Sequence, residues 1–299
     1  MGNPIVKVEN FSKLFGRRQV VSDLSFEVKE GEIFAFLGAN GSGKTTTIRC
    51  LLNLLQSDNG NLLINNKPYS PRMSSEVGYL PEERGLYTQV KVLDAMVYFG
   101  EIKGLTSQQA KNWSMDYLQK VGLADKTKEK IKKLSSGQQQ KIQLGITIIN
   151  QPRLLILDEP TKGLDPVNRS LLMDILLEMK EKGSTIMFIT HQMEEVEKIA
   201  DRLIMIKDGV RKLYGEVGEV KSQFGKNTIH LEYRGQLPKN DELYRAVINK
   251  NYTEITPQNK VTTKQVLEYL LKHEVQINKF EITAPSLNEI FILVSKNHE

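Results

Sequence analysis

The sequence holds one cysteine in 299 residues, Cys50, so it has no internal disulfide and reads as the product of a reducing compartment. Cys50 falls on an apolar stretch and reads as core. Long apolar runs are missing too. The longest, such as 33–37, stop far short of the roughly 20 residues that span a bilayer. Membrane association is therefore expected only through a partner or at the surface. The N-terminus has no apolar signal core, and its Met1-Gly2 start has Val6 where a myristoylation motif requires Ser or Thr. There is no internal repeat and no low-complexity tract. Neither sign of charge dominates, since 41 Lys and Arg against 36 Asp and Glu leave a net charge of +5. The one local excess is Lys126 to Lys133, five lysines in eight residues. It reads as a solvated helix face, with anionic lipid or nucleic acid as the alternative contact.

What is present is the composition of a folded globular protein, 39% hydrophobic and 26% charged, long enough for one large domain and a small one. Residues 4–37 alternate like antiparallel strands around a turn at Gly16-Arg17, and 33–37 is a continuous apolar run of the buried-strand type. A helix is predicted over 44–55 and a short strand over 62–64, with 88–150 helical. Strand and helix then alternate over 154–157, 169–182, 185–190, 193–200 and 203–206, the pattern of a mainly parallel sheet covered by helices. The pattern changes after Gly209. Residues 219–299 carry short period-two strands (Ile229, Leu231, Tyr233) and two or three short helices, expected to form a small α/β appendage.

Three segments carry chemistry. Gly38-Ala39-Asn40-Gly41-Ser42-Gly43-Lys44-Thr45, followed by Thr46, fits the phosphate-loop pattern between an apolar strand and a helix. The glycines let backbone N–H groups close around phosphates, and the helix N-terminus favours the same anion. Lys44 supplies a point charge for the β- and γ-phosphates, and Thr45 a hydroxyl for Mg²⁺. The second segment is an apolar strand ending in Asp158-Glu159. Strand ends reach the edge of the sheet where ligands bind in open α/β folds. Asp158 is read as a Mg²⁺ ligand, directly or through water, and Glu159 as the group that polarises the attacking water. His191, at the end of a third strand, is placed to meet the γ-phosphate. His230, His273 and His298 have no such setting.

The third segment, Leu134-Ser135-Ser136-Gly137-Gln138, lies about twenty residues before the acidic strand. Ser135 can cap the next helix, with Gln138 completing a capping box. This segment resembles the L-S-G-G-Q signature of ABC ATPases, and the resemblance covers residues 4–215. Gly163-Leu164-Asp165-Pro166 is similar to the family's D-loop, and Phe15 stands where the family places an aromatic that stacks on adenine. Two positions depart from the pattern. Ser136 replaces a Gly, and Glu82 stands where a Gln is usual, in a loop that touches Mg²⁺ and senses the membrane partner. Tyr79-Leu80-Pro81-Glu82-Glu83-Arg84-Gly85-Leu86-Tyr87 and Pro285-Ser286-Leu287-Asn288-Glu289-Ile290-Phe291 resemble the sodium-extrusion and drug-resistance exporter ATPases.

The resemblance implies a P-loop ABC ATPase fold over 1–218: a mainly parallel core sheet, an antiparallel β-subdomain, and a helical subdomain near 86–150. An accessory α/β domain over 219–299 would follow. It implies ATP and Mg²⁺ as cofactors, and ATP hydrolysis that drives a separate polytopic membrane subunit from the cytoplasmic face of the membrane, with sodium or drugs as the cargo. It further implies a head-to-tail dimer, with itself or a sister chain, in which Ser135, Ser136, Gly137, Gln138 and Asp165 of one subunit close on the ATP of the other. The alternatives are a soluble ABC ATPase acting on nucleic acid or ribosomes, and a small-molecule kinase. Against the first stand the single cassette and the short 46–133 interval without sustained heptads. A kinase would need neither signature nor D-loop.

Overall fold

A computed structural model of the chain describes residues 4–83, 85–224, 228–249, 252–258 and 260–296. Met1, Gly2, Arg84 and His298 lie outside the described residues. The chain divides into two compact units, 1–215 and 216–299.

The first unit begins with β1 (Pro4–Phe15) and β2 (Arg18–Lys29), an antiparallel hairpin turning at Gly16-Arg17. Next come β3 (Ile33–Gly38), α1 (Lys44–Leu51), β4 (Asn59–Ile64) and β5 (Val77–Leu80). Three helices follow, α2 (Val92–Ile102), α3 (Ser107–Lys120) and α4 (Ser136–Ile148). The unit closes with β6 (Leu154–Asp158), α5 (Pro166–Glu181), β7 (Thr185–Thr190), α6 (Met193–Ile199), β8 (Arg202–Lys207) and β9 (Val210–Glu216). Strands β2-β1-β4 form a three-stranded antiparallel sheet. A six-stranded sheet runs β5-β6-β7-β3-β8-β9, with every pair from β5 through β8 parallel. All residues of β3, β6 and β7 are buried, as expected of strands covered on both faces. Alternation decides which face each side chain enters. Phe34 and Phe36 join one core with Val6, Phe11, Phe26 and Val28 of the antiparallel sheet and Ile48 of α1. Phe26 stacks on Phe34 at 5.7 Å and tilts against Phe36 at 5.4 Å. Each such ring is worth roughly 1.5–3 kcal/mol when removed from water. This core holds the end of β3 and the start of α1 together, and so positions the loop between them.

Three expectations need correction. The first helix stops at Leu51, because Asn53 turns left-handed (φ 53°) and the amides of Leu54 and Leu55 both return to the carbonyl of Arg49. The lysine run is not a helix face. Residues 124–126 and 131–133 are short 3₁₀ turns, tied to the start of α2 by Val92 N–H donating to Glu129 O and Ile131 N–H donating to Val90 O. Two strands were not foreseen, β5 and β9. The first has only four residues and draws its pairing from β6, and the second follows the Asp208-Gly209 turn where the composition begins to change.

The second unit contains α7 (Val217–Gln223), β10 (Thr228–Arg234), β11 (Tyr244–Ile248), β12 (Thr253–Pro257), α8 (Thr263–Lys272), β13 (Gln276–Thr283) and α9 (Leu287–Lys296). Its antiparallel sheet runs β11-β12-β10-β13. Ile229, Leu231 and Ile255 pack against Val266 and Leu270 of α8, which Thr262 and Gln265 cap reciprocally.

Candidate functional site

The phosphate loop leaves β3 and enters α1 through a helix cap at Gly43, whose φ of 105° suits glycine alone. A Cβ there would stand 2.8 Å from the Val21 side chain. At Gly38 a Cβ would meet Ser42 Oγ at 2.4 Å and the Ile206 carbonyl at 2.6 Å, so β8 also fixes the loop. Lys44 is buried, and its ammonium donates to the carbonyls of Gly38 (2.8 Å) and Ala39 (3.1 Å). Burial pulls its pKa below the ordinary lysine value, opposed by the charges of Glu159, Asp158 and Glu82.

Parallel pairing of β3, β7 and β6 brings three strand ends to one edge. Thr45 Oγ1 donates to Asp158 Oδ2 at 3.0 Å. The other oxygen, Oδ1, is buried without a partner, as is Glu159 Oε2. Burial pushes the Asp158 carboxyl up to about 6. The neighbouring Glu82 and Glu159 charges add to that, while Thr45 and Lys44 oppose it. His191 Nδ1 lies 2.7 Å from Glu159 Oε1, with the imidazole half exposed. Whichever group carries the proton, the contact fixes the carboxylate in one orientation.

A cleft of about 460 Å³ collects Phe15, Asn40, Gly41, Gly43, Lys44, Thr45, Thr46, Glu82, Asp158 and Glu159. Phe15 is 49% exposed, so it stands at the cleft and not in the core. Glu82 reaches the same cleft and accepts from Lys162 Nζ at 2.7 Å. Arg18 and Val20 also line it. Sequence reasoning passed over both, although their place just beyond the hairpin turn that holds Phe15 was the available signal.

The signature residues are not in that lining. Ser135 caps α4, accepting from the Gln138 amide at 3.3 Å while Gln138 Oε1 accepts from Ser135 N–H at 2.9 Å. Gly137 and Ser136 instead adjoin the 163–164 turn. A Cβ on Gly137 would lie 3.3 Å from Leu164, and one on Gly163 would lie 3.4 Å from Ser136 Oγ. Asp165 caps α5, accepting from Asn168 N–H at 2.9 Å. A helix N-terminus with a hydroxyl can take an anion, and the signature end of α4 is not among the residues that line this cleft. Among the described residues no three His, Cys, Asp or Glu side chains form a protein-only metal site. Mg²⁺ shared with phosphates needs only one or two carboxylates, and the unpartnered Asp158 oxygen beside Thr45 fits that role. No described helix is long and apolar enough to cross a membrane.

Comparison with known proteins gives a consistent result. The ABC transporter family profile matches residues 21–162, and the C-terminal domain of DrrA1-3-like ATP-binding proteins matches 215–295. An ABC transporter ATP-binding protein of Methanocaldococcus jannaschii is 42% identical over 248 residues, covering 82% of this chain and 89% of the relative. The linearmycin resistance ATP-binding protein of Bacillus subtilis is 29% identical over 96% of this chain and 97% of its own length. A solved ATP-binding subunit of an ABC transporter superposes with a TM-score of 0.69 at 27% identity, over 74% of this chain and 93% of that one.

Proposed function

This chain belongs to the ATP-binding proteins of ABC transporters, which bind and hydrolyse ATP to power transport through a membrane permease subunit, and we propose that it drives an exporter by closing in pairs over two ATP molecules. The observation that carries the reading is the division of the site. The phosphate loop, Asp158, Glu159 and Phe15 share one cleft, while the capped signature end of α4 is absent from that cleft's lining. A second copy, or a sister chain, turned head to tail would bring its Ser135, Ser136, Gly137, Gln138 and Asp165 to the γ-phosphate side and supply the missing wall.

The roles then follow from position. Phe15 offers its exposed face to the adenine. The amides of 39–46 and the α1 N-terminus hold the phosphates. Lys44 exchanges the Gly38 and Ala39 carbonyls for phosphate oxygens, trading neutral acceptors for charged ones. Thr45 and Asp158, with Glu82 at the cleft wall, would hold Mg²⁺, which when bound neutralises charge on the phosphates. Glu159 orients a water toward the γ-phosphorus and accepts its proton. His191 keeps that carboxylate pointed inward and offers its exposed ring edge to the γ-phosphate. Residues 1–218 would act as the motor domain, with the helical subdomain near 86–150, and 219–299 as the accessory domain.

Export is favoured over import by the accessory domain and by the resistance relative, which resembles this chain end to end. An amphipathic antibiotic is the first cargo to test and sodium ion the second. The test is co-expression with the cognate permease in inside-out vesicles. ATP-dependent accumulation of a fluorescent amphipathic antibiotic, or of ²²Na⁺, lost in Lys44→Ala, is the expected result. Uptake of neither cargo alongside an active ATPase would remove the export assignment.

A further inference from the structure

The carboxylate at the end of β6 stands on strained backbone. Glu159 has φ 50°, in the left-handed region. That conformation is unfavourable for a non-glycine residue, and it persists only where the surroundings over-determine it. Pro160 follows and has no amide hydrogen, so the segment cannot be tied through that nitrogen. Several hydrogen bonds hold it instead, among them these four. Glu159 N–H donates to Ile189 O at 2.9 Å, and Lys162 N–H donates to Glu159 O at 3.1 Å. Thr161 Oγ1 donates to Glu195 Oε2 at 2.9 Å, and Gln140 Nε2 donates to Pro160 O at 3.0 Å.

Gln140 differs from the other three partners. It comes from α4, the helix whose N-cap is Ser135, so it is a direct polar link between the signature helix and the peptide behind Glu159. It is only 4% exposed, on a helix whose buried residues include Ile142, Leu144, Ile146 and Ile148. A Leu or Met would fill such a place without the desolvation cost of an amide, so packing alone does not account for a donor there.

We propose that Gln140 is a positioning residue for Glu159: its hydrogen bond to the Pro160 carbonyl holds the left-handed backbone that aims the carboxylate at the attacking water. The inference rests on the reading of Glu159 given above. Without the bond, Glu159 relaxes toward negative φ and the carboxylate leaves its line of attack. The contacts of the chain's own cleft are untouched, because none of the cleft's lining residues lies on α4. A helix anchor with no further role would alter melting temperature and leave turnover at saturating ATP where it was.

The test uses the full-length chain, steady-state ATPase kinetics and binding of a fluorescent ATP analogue. Gln140→Met keeps length and apolar fit but removes the donor. Its kcat is expected to fall about tenfold or more, the scale of a misplacement on the order of 1 Å, with KM and analogue affinity within about twofold. Gln140→Glu supplies the rescue. An ionised carboxylate cannot donate to the Pro160 carbonyl, whereas the neutral acid can, and burial raises its pKa. The ratio of its kcat to wild type at the same pH is expected to rise as pH falls from about 8 to about 6. Unchanged kcat in Gln140→Met, or a Gln140→Glu ratio that stays flat or falls with pH, overturns the proposal. Should Gln140→Met fail to fold, the Gln140→Glu series decides alone. A wild-type chain without ATPase, or Glu159→Gln with normal turnover, defeats the underlying reading of Glu159 instead.

Discussion

The two units of this chain differ most in what they bury. In 1–215 the interior carries Lys44, Asp158, Glu159, Thr161, Gln140 and Glu195, and Asp158 and Glu159 each keep a buried oxygen without a partner. In 216–299 the core is built from Ile229, Leu231, Ile255, Val266 and Leu270, its buried carboxylate Glu254 is partnered by the Tyr252 hydroxyl and by His230, and other charges pair at the surface, such as Lys279 with Glu281. A buried carboxylate oxygen left unmatched costs on the order of 1–3 kcal/mol. A fold keeps such groups where a ligand completes them, so the contrast marks the first unit as the seat of chemistry. It marks the second as a body that folds for another purpose.

The contrast can be broken most severely at Lys44. Lys44→Ala removes the charge from the phosphate cleft, and turnover should fall by at least about 10²–10³-fold, the scale of losing a preorganised electrostatic contact. The same substitution at Lys279 should leave turnover unchanged. Comparable ATPase rates for the two variants in a phosphate-release assay would refute the phosphate-loop reading.

Asp158 sharpens the contrast in a different currency. Its folded pKa is raised to about 6 from the ordinary 3.8, so between those values the folded chain holds the proton more tightly than the unfolded one. Stability from this group is therefore greatest below about pH 4 and is lost as pH rises through about 6. Asp158→Asn removes the buried charge. It should raise Tm at pH 8 by a few degrees, at ~2–4 °C per kcal/mol, while Mg²⁺-dependent turnover drops. In the wild type, Mg²⁺-dependent nucleotide affinity should weaken as pH falls through about 6, as the carboxylate proposed to hold the metal is protonated. A lower Tm in Asp158→Asn would show that the charge is already matched in the folded chain.

The smallest effect is expected from the second unit. A chain truncated after Gly218 should bind a fluorescent ATP analogue within about twofold of full length, because among the described residues none that lines the cleft belongs to the second unit. A folded truncation that cannot bind would show that the accessory unit shapes the site.

Much of the first unit could be read from the chain because its strands announce themselves. Runs such as 33–37 and 154–157 are apolar without interruption, as strands buried on both faces must be, and the glycines of the phosphate loop have no other economical explanation. The short strand β5 escaped notice because four residues carry no periodicity of their own and β6 dictates its pairing. The lysine run misled for a related reason. Charge density suggested an exposed helix, but Val92 and Ile131 backbone bonds fold it against the start of α2. Within the site, the residues proposed to touch phosphate or metal declared themselves by type and spacing. Arg18, Val20 and Gln140 did not, since each owes its place to contacts made across the fold.

The central claim is that Glu159 activates water in a site completed by another subunit, and Glu159→Gln tests both halves at once. The amide keeps the size of the side chain but cannot take up a proton, so hydrolysis should fall by about 10²-fold or more, the usual scale of a lost general base. Residues 38–46 and Asp158 are unaltered, so ATP still binds and the pair cannot reopen by cleaving it. Size-exclusion chromatography of the variant with ATP and Mg²⁺ should then show a dimer, and a monomer without them. Normal turnover would remove Glu159 from the reaction, and tight ATP binding by a chain that stays monomeric at high concentration would contradict self-pairing and direct the search to a sister subunit.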